Sequence, residues 1–187
     1  AVEEPLFNPK FVSANTTDKL LIFIVDDSEF EQMRMALTVE KLVDSFQLIQ
    51  PNIEIRKFDS GEECMDQIGE KPNLIIVDYH MDSVNKKAMN GKAFCQKVLK
   101  QYPKTKIIMA SSQQTVDVAA EVMALGAFAY VVKNNIFEMN LEAAVEKFIR
   151  LEESRHDRFS QDFLSLLLVA ITGGILGWLM TYLYFLG

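Results

Sequence analysis

The chain is poor in the residues that build disulfide frameworks, zinc sites and nucleic-acid surfaces. Its only cysteines are Cys64 and Cys95, and their spacing fits neither a zinc motif nor a set of paired disulfides. Reduced thiols in a cytosolic compartment are the simplest interpretation. Acidic residues outnumber basic ones by 26 to 19, which gives a net charge of −7. Because phosphate contacts need basic patches, this deficit disfavours nucleic acid as a partner.

Charged residues are missing from the C-terminal end of the chain. All Asp, Glu, Lys and Arg residues lie within residues 1–162, and none lies between Phe163 and Gly187. This asymmetry argues against a wholly soluble single domain and against a chain that is disordered throughout. Residues 1–162 suit one domain with extensions, since domains usually contain about 100–200 residues. A hydrophobic content of 49% with 13 Phe is enough for a core.

The uncharged segment predicts a transmembrane helix over residues 163–186. A helix of this length would extend about 36 Å, which is enough to cross a hydrocarbon core of about 30 Å. Trp178, Tyr182 and Tyr184 lie toward its end, where aromatic rings favour the membrane interface. A buried core helix is the alternative, but an uncharged run of this length exceeds what globular helices usually show.

The flanks and the small residues of this segment indicate its orientation and a partner. Four basic residues precede it and none follows, namely Lys147, Arg150, Arg155 and Arg158. By the positive-inside rule, the N-terminal domain is expected in the cytoplasm. Gly173 and Gly177 form a G-x-x-x-G motif, and Ala170 and Gly174 form a second pair of small residues. This spacing lets another helix approach closely, which favours a homodimer or a larger membrane complex, although glycine is also simply common in membrane helices.

Five short apolar runs alternate with longer amphipathic stretches in the rest of the chain. The runs are Leu20–Val25, Ile53–Phe58, Leu74–Val77, Ile107–Ala110 and Phe128–Val132. Strands that are apolar throughout are buried on both faces, as in a parallel sheet covered by helices, whereas the second run alternates like an edge strand. The predicted helices are 29–48, 61–69, 91–101, 114–125 and 138–157. The sequence therefore predicts an α/β fold with a five-stranded, parallel, doubly wound sheet.

The remaining segments complete the predicted organisation. Residues 1–19 are interpreted as an extended arm, 20–150 as the domain, 151–162 as a charged linker helix and 163–186 as the span. Two helices are predicted to begin with capping boxes, formed by Ser28 with Glu31 and by Ser60 with Glu63.

Polar residues cluster at the carboxyl ends of the predicted strands, where open α/β sheets bind ligands. Asp26 and Asp27 follow the first strand and Asp78 ends the third. Ser111 and Ser112 follow the fourth strand, and either could supply a hydroxyl donor. Lys133 ends the fifth. Crowded carboxylates repel one another and call for a hard cation such as Mg²⁺. A carboxylate beside that metal can attack phosphorus, and the lysine and hydroxyl would stabilise the transferred group.

These residues resemble the receiver domain of two-component response regulators over residues 20–150. The matching residues are Val25-Asp26-Asp27, Asp78 with Met81, Met89-Asn90-Gly91, Ser111, Gly126-Ala127 and Tyr130-Val131-Val132-Lys133. The resemblance implies a flavodoxin-like sheet in the order 2-1-3-4-5, with Asp78 as the phosphoacceptor for a histidine kinase. It further implies that Asp26, Asp27, Asp78 and the backbone carbonyl of His80 hold Mg²⁺. Ser111 and Lys133 would contact the phosphoryl group, and Tyr130 would be the aromatic switch.

The sequence departs from the family pattern in two loops. Asn134 follows Lys133 where the family usually has proline in a cis bond; a cis non-prolyl bond costs about 2.5–4 kcal/mol, so we expect a trans bond. Asp82 stands where proline usually follows the methionine near the acceptor. The loop from Asp78 to Gly91 is also about five residues longer than the family usually has, and it carries Lys86 and Lys87.

Three functions are compatible with the sequence. The first is a receiver anchored in the bacterial cytoplasmic membrane by one span, which signals by protein–protein contact and has no enzymatic activity beyond self-dephosphorylation. The second is a regulatory or structural subunit of a larger membrane complex, in which the receiver fold is a docking module. The third, a phosphatase-like enzyme with an Asp nucleophile, is weaker, because the acid/base Asp expected two positions after Asp78 is His80.

Overall fold

A five-stranded parallel β-sheet forms the centre of the computed structural model, which describes residues 19–45, 53–81, 89–152, 154 and 155. The strands are β1 (Leu20–Val25), β2 (Ile53–Phe58), β3 (Leu74–Asp78), β4 (Lys106–Ser111) and β5 (Ala129–Val132). Their order is β2-β1-β3-β4-β5, so the alternating second run is an edge strand. The predicted fold class and strand order are confirmed.

Within the described residues, four helices connect successive strands, and a fifth follows β5. They are α1 (Glu29–Ser45), α2 (Gly61–Gln67), α3 (Gly91–Gln101), α4 (Val116–Ala124) and α5 (residues 137–152). The helix predicted over 61–69 ends at Gln67, because Ile68–Glu70 tighten into a 3₁₀ turn before Lys71 adopts a left-handed conformation with φ of 58°. The helix predicted over 114–125 is shorter at both ends, with Thr115 as its N-cap residue.

Both faces of the sheet are buried, as the apolar strands predicted. Phe23, Val25 and Val77 pack in a cluster with side chains of α2, α3 and α4. Ile22 and Ile24 alternate with them along β1 and are equally inaccessible to solvent, so they face the opposite side. Each such side chain contributes about 1.5–3 kcal/mol through burial. This core fixes the strands, and therefore the positions of the residues that end them.

The two cysteines belong to the cluster under α2 and α3. Burial raises the pKa of the Cys64 thiol to about 12 and that of Cys95 to about 11. Both thiols are free and stay protonated near neutral pH, so they act as small apolar side chains.

The predicted capping boxes form only in part. Ser28 Oγ accepts from the Glu31 amide at 3.4 Å, but the Ser28 amide donates to Asp26 Oδ1 at 2.9 Å. The Glu31 carboxylate is thus left for another role. Ser60 Oγ accepts from the Glu63 amide at 3.2 Å, and the Glu63 carboxylate accepts from the amide of Asp59, one residue earlier than the motif predicts.

The chain divides into two compact units, residues 1–146 and 147–187. In the second unit, residues 147–152, 154 and 155 are described as helical. No helix among the described residues is both long and apolar enough to cross a membrane. The predicted span with its small residues Ala170, Gly173, Gly174 and Gly177 lies outside the described residues, as do residues 1–18, 82–88 and most of the linker.

Candidate functional site

Strand register brings four of the predicted residues to one edge of the sheet. Asp26 follows Val25, which pairs with Val77, so Asp26 and Asp78 stand side by side on adjacent strands. Ser111 ends β4, and its carbonyl accepts from the Lys133 amide at 2.7 Å. Because all five strands are parallel, their carboxyl ends share this edge. Asp27 lies beside Asp26 and is partly buried.

The ammonium group of Lys133 lies between the two central carboxylates. Its Nζ is 2.6 Å from Asp26 Oδ2 and 2.7 Å from Asp78 Oδ1. The three side chains are largely buried, with exposed fractions of 13% for Lys133, 2% for Asp26 and 8% for Asp78. Charge-assisted hydrogen bonds of this kind are about twice as strong as neutral ones. A cation therefore already occupies the position between the carboxylates.

Burial and the neighbouring opposite charges act in opposite directions on the pKa values of Asp26 and Lys133. Burial raises the pKa of Asp26 above its usual value near 3.8, and the hydrogen bond and charge of Lys133 offset that rise only in part. For Lys133, burial acts to lower the pKa, but the charge of Asp78 and the bonds to both carboxylates outweigh it, so its pKa lies above 10.5. Lys133 is consequently a permanent cation near neutral pH.

The Asp78 carboxylate is held by the backbone that follows it. Its Oδ2 accepts from the His80 amide at 2.6 Å, while the Tyr79 amide donates to the Ala110 carbonyl at 2.8 Å. One oxygen of Asp78 thus faces Lys133 and the other faces the β3–α3 loop. The His80 side chain packs edge-on against Tyr79, with 4.9 Å between ring centroids.

Gly91 lets the start of α3 approach the end of β3 closely. A Cβ atom at this position would lie 2.2 Å from the Asp78 carbonyl oxygen and 2.8 Å from the Tyr79 Cα. The Gly91 amide donates to the Tyr79 carbonyl at 3.0 Å, and Asn90 Oδ1 caps the helix by accepting from the Ala93 amide at 2.9 Å. The Met89-Asn90-Gly91 sequence therefore fixes the backbone on one side of Asp78.

Ser111 and Tyr130 both bond to the backbone of Gln113. Ser111 Oγ accepts from the Gln113 amide at 3.1 Å, and the Tyr130 hydroxyl donates to the Gln113 carbonyl at 2.9 Å. Ser111 is buried at the strand end, whereas Ser112 is exposed. Burial at the strand end thus favours Ser111 over Ser112 as the site hydroxyl.

Two site residues on α1 were missed by sequence reasoning. Gln32 is buried, and its Nε2 lies 2.8 Å from the Asp26 carbonyl, 3.1 Å from the Phe58 carbonyl and 2.7 Å from Asp59 Oδ1. Glu31 Oε2 lies 4.0 Å from Lys133 Nζ. The signal for Gln32 was a glutamine on the apolar face of α1, five residues after Asp27, because glutamine is uncommon in a helix core.

The loop after Lys133 forms without proline. The described residues contain no cis peptide bond, so the Lys133–Asn134 bond is trans, as expected. Asn134 instead organises the turn with its side chain: Oδ1 accepts from the Ile136 amide at 3.1 Å, and the Asn134 carbonyl accepts from the Phe137 amide at 3.1 Å. Such an Asx-type turn leads the chain into α5.

Comparison with known proteins identifies the family of the domain that carries this site. The family model described as "Response regulator receiver domain" matches residues 22–146, which is most of the first unit. The chain belongs to this family. Receiver domains are in general signalling modules without enzymatic activity, are phosphorylated by histidine kinases and typically bind Mg²⁺ at the phosphorylation site. No curated protein matches the chain.

Solved receiver structures share the fold of this receiver. One from Clostridium thermocellum is 19% identical, with 71% of this chain and 96% of that chain covered and a TM-score of 0.57. The chemotaxis response regulator CheY4 of Vibrio cholerae is 22% identical, with 70% and 99% covered and a TM-score of 0.55. A receiver domain of a LuxO repressor protein from Vibrio parahaemolyticus is 21% identical, with 74% and 95% covered and a TM-score of 0.57.

The donor set of the receiver suits a hard divalent cation. The carboxylates of Asp26 and Asp78 bond to the Lys133 ammonium group, Glu31 Oε2 lies 4.0 Å from it, and carboxylate oxygens can accept more than one interaction. Among the described residues, no three acidic, histidine or cysteine side chains are already grouped as metal ligands. Instead, Lys133 bridges two of the carboxylates. The residue types fit Mg²⁺, and the magnesium site stays a prediction.

In buffer that contains a metal chelator, replacing Lys133 by Met should destabilise the receiver by about 2 kcal/mol, because two buried carboxylates lose their counterion. Urea titration followed by circular dichroism measures the change. Adding Mg²⁺ should restore part of the loss, since a ligand that binds the folded state stabilises it. Lys97→Met, on the exposed face of α3, is the matched control and should change little. A loss no larger than that of the control would contradict the proposed importance of the ammonium.

Asp26 should make the metal-free receiver less stable as pH rises. Its folded-state pKa is raised by burial, so the folded state binds this proton more tightly than the unfolded chain does. The free energy of unfolding therefore falls as pH rises above about 4 through the raised pKa. Asn cannot ionise, so the stability advantage of Asp26→Asn over wild type should be greater at pH 7 than at pH 4, by urea titration in EDTA. An unchanged or shrinking advantage would oppose this sign.

Proposed function

We propose that this receiver accepts a phosphoryl group on Asp78 from a histidine kinase and signals from the membrane by protein–protein contact. The observation that carries the proposal is the buried bridge of Lys133 to Asp78 and Asp26, with distances of 2.7 and 2.6 Å. An ammonium group fixed beside an acceptor carboxylate can neutralise the transferred oxygens.

The transfer is an in-line displacement at phosphorus. An oxygen of Asp78 forms a bond to phosphorus while the bond from phosphorus to the kinase histidine breaks, and the electron pair of that bond returns to the imidazole. Lys133 stays beside Asp78, where its ammonium group interacts with the phosphoryl oxygens. Asp26, Asp27, Asp78 and the His80 carbonyl would hold Mg²⁺, which would neutralise the developing charge.

An exposed apolar surface beside the site suits the kinase partner. Phe30, Met33 and Leu37 follow one exposed face of α1, with exposed fractions of 72%, 51% and 47%. Ile136 and Met139 are exposed at 49% and 59% around the start of α5. The two groups are joined by Arg34, whose Nε is 2.6 Å from Glu138 and whose guanidinium lies 4.7 Å from the Phe137 ring centroid. Such a patch next to a buried acceptor favours docking of the donor protein.

The signalling step would begin at Gln113. Ser111 Oγ accepts from its amide and the Tyr130 hydroxyl donates to its carbonyl, so a shift of Ser111 toward the phosphoryl group would release the Gln113 amide. Tyr130 would then repack, and the adjoining face of α4, where Val116 and Met123 are exposed, would change its affinity for a partner. This switch accounts for output without a further enzymatic activity.

The transmembrane anchor is supported by the uncharged segment 163–186. In cells, the full chain should sediment with membranes after alkaline carbonate washing, and deletion of residues 163–187 should release it. Replacing Gly173 and Gly177 by Leu should weaken helix association while membrane binding persists, measured after mild detergent extraction. A homodimer after extraction supports the receiver with a paired anchor, and a stoichiometric larger assembly supports the subunit alternative. Persistent membrane binding of the deletion variant would refute the anchor.

Transfer to the full chain from acetyl phosphate tests the acceptor chemistry. Incorporation should require Mg²⁺ and stop in EDTA, and the product should release phosphate in hydroxylamine, as an acyl phosphate does. A product that resists hydroxylamine would overturn the assignment to an aspartate, and metal-independent incorporation would overturn the predicted role of Mg²⁺.

A further inference from the structure

One oxygen of Glu31 has no hydrogen-bond donor within the described part of the chain, although it is buried. This atom, Oε2, lies 4.0 Å from Lys133 Nζ, while Oε1 accepts only a long bond of 3.4 Å from Arg34. A buried carboxylate oxygen without a donor is costly, and such atoms are rare in folded proteins. Its position opposite the site cation therefore calls for an explanation.

The geometry of Lys133 supplies one. An ammonium group has three N–H donors, and Asp26 and Asp78 account for two of them. The distance to Glu31 is too long for a hydrogen bond, but a small rotation of either flexible side chain would close it. Glu31, on the first turn of α1, is thus a third carboxylate near the ammonium group, and it makes no hydrogen bond to that group in this structure.

Asp26 cannot serve Lys133 and a divalent cation equally well. If a cation is bound by Asp26, it repels the ammonium group 2.6 Å from the same carboxylate. Lys133 then needs another acceptor, because a buried ammonium donor left without a partner costs free energy. Asp78 can supply only one of the two bonds that Lys133 now makes.

We infer that Glu31 is a positioning residue that replaces Asp26 as the partner of Lys133 when Mg²⁺ enters. Lys133 would then be held between Asp78 and Glu31, and the Asp26 carboxylate would be released to the metal. The inference rests on the proposed function, since it assumes that Mg²⁺ binds at Asp26. It assigns to this chain a residue that the family resemblance did not mark.

The test is Mg²⁺ affinity of the unphosphorylated full chain in mild detergent, measured by isothermal titration calorimetry. Glu31→Gln should weaken binding roughly tenfold, the size of one charge-assisted hydrogen bond. Glu31→Ala should lose about as much, which guards against an effect peculiar to the new amide. Glu29→Gln is the matched control: it removes the same charge from an exposed position on the same helical turn and should change affinity less than about twofold.

The Lys133→Met background separates an indirect role from direct metal binding. There, Glu31→Gln should cost no more than Glu29→Gln, because the partner through which Glu31 acts is gone. A tenfold loss that persists in Lys133→Met would make Glu31 a metal ligand and overturn the inference. Equal effects of Glu31→Gln and Glu29→Gln in the wild-type background would also overturn it. Failure of the wild type to bind Mg²⁺ would instead count against the proposed function.

Discussion

Replacing Asp78 by Asn should reduce phosphoryl incorporation from acetyl phosphate by more than about 100-fold, because the amide cannot act as the nucleophile. The substitution keeps the size and most hydrogen bonds of the side chain. Its amide oxygen can still accept from the His80 amide, which now donates to Asp78 Oδ2 at 2.6 Å. The fold should therefore persist, and the loss would be chemical. Radiolabelled acetyl phosphate with Mg²⁺ is the direct measurement.

Asp66→Asn is the matched control for this variant. Asp66 is an exposed aspartate on α2, so its replacement makes the same change in net charge without touching the site. Incorporation into Asp66→Asn should equal that of wild type. If Asp78→Asn were labelled at the wild-type level, the acceptor would be another residue, and the site argument built on Lys133 would fail.

Replacing Gly91 by Ala should destabilise the receiver by roughly 3 kcal/mol, because a Cβ would overlap backbone atoms. The obstacles are the Asp78 carbonyl oxygen at 2.2 Å and the Tyr79 Cα at 2.8 Å, neither of which can rotate away as a side chain could. Either α3 or the end of β3 must move. Since Asp78 is part of that strand end, phosphoryl incorporation should fall as well. Urea titration gives the stability change.

Gly69→Ala provides the control for the glycine substitution. Nothing lies within 4 Å of a Cβ built at Gly69, and its backbone does not require a left-handed conformation. The added methyl group should leave stability unchanged or raise it by up to about 1 kcal/mol, because alanine restricts the unfolded chain. If Gly91→Ala lost no more stability than Gly69→Ala, α3 and the end of β3 would be able to move apart without a cost in free energy.

The strands and their order could be predicted because the signals are local and mutually consistent. Runs such as Leu20–Val25 are apolar at every position, as expected of a strand that is covered on both faces. Once the sheet is parallel, Asp26, Asp78 and Lys133 must share one edge. Glu31 could not be predicted as a site residue, because its sequence context fits a capping box equally well. Only the three-dimensional structure shows that the Ser28 amide donates to Asp26, which leaves the Glu31 carboxylate near Lys133.

The trans bond after Lys133 shows how a departure from the family pattern is accommodated. Proline would fix this turn through its ring, whereas Asn134 does so through side-chain and backbone acceptors. This turn leads directly into α5, whose first residue, Phe137, donates its amide to the Asn134 carbonyl. Gln32 illustrates the opposite case: its three acceptors lie at or just after the ends of β1 and β2, so no local pattern could place them together.

A series of neighbouring charged side chains leads from Asp78 to the molecular surface, and their charges alternate in sign. Asp78 contacts Lys133 at 2.7 Å, Lys133 lies 4.0 Å from Glu31, Glu31 lies 3.4 Å from Arg34, and Arg34 contacts Glu138 at 2.6 Å. Extra negative charge at Asp78 would draw Lys133 toward it and away from Glu31, which would leave the Glu31 carboxylate more strongly attracted to Arg34. A chemical event in the buried pocket would thereby reach the outer rim of α1 and α5 as a change of electrostatic potential, ahead of any movement of the backbone.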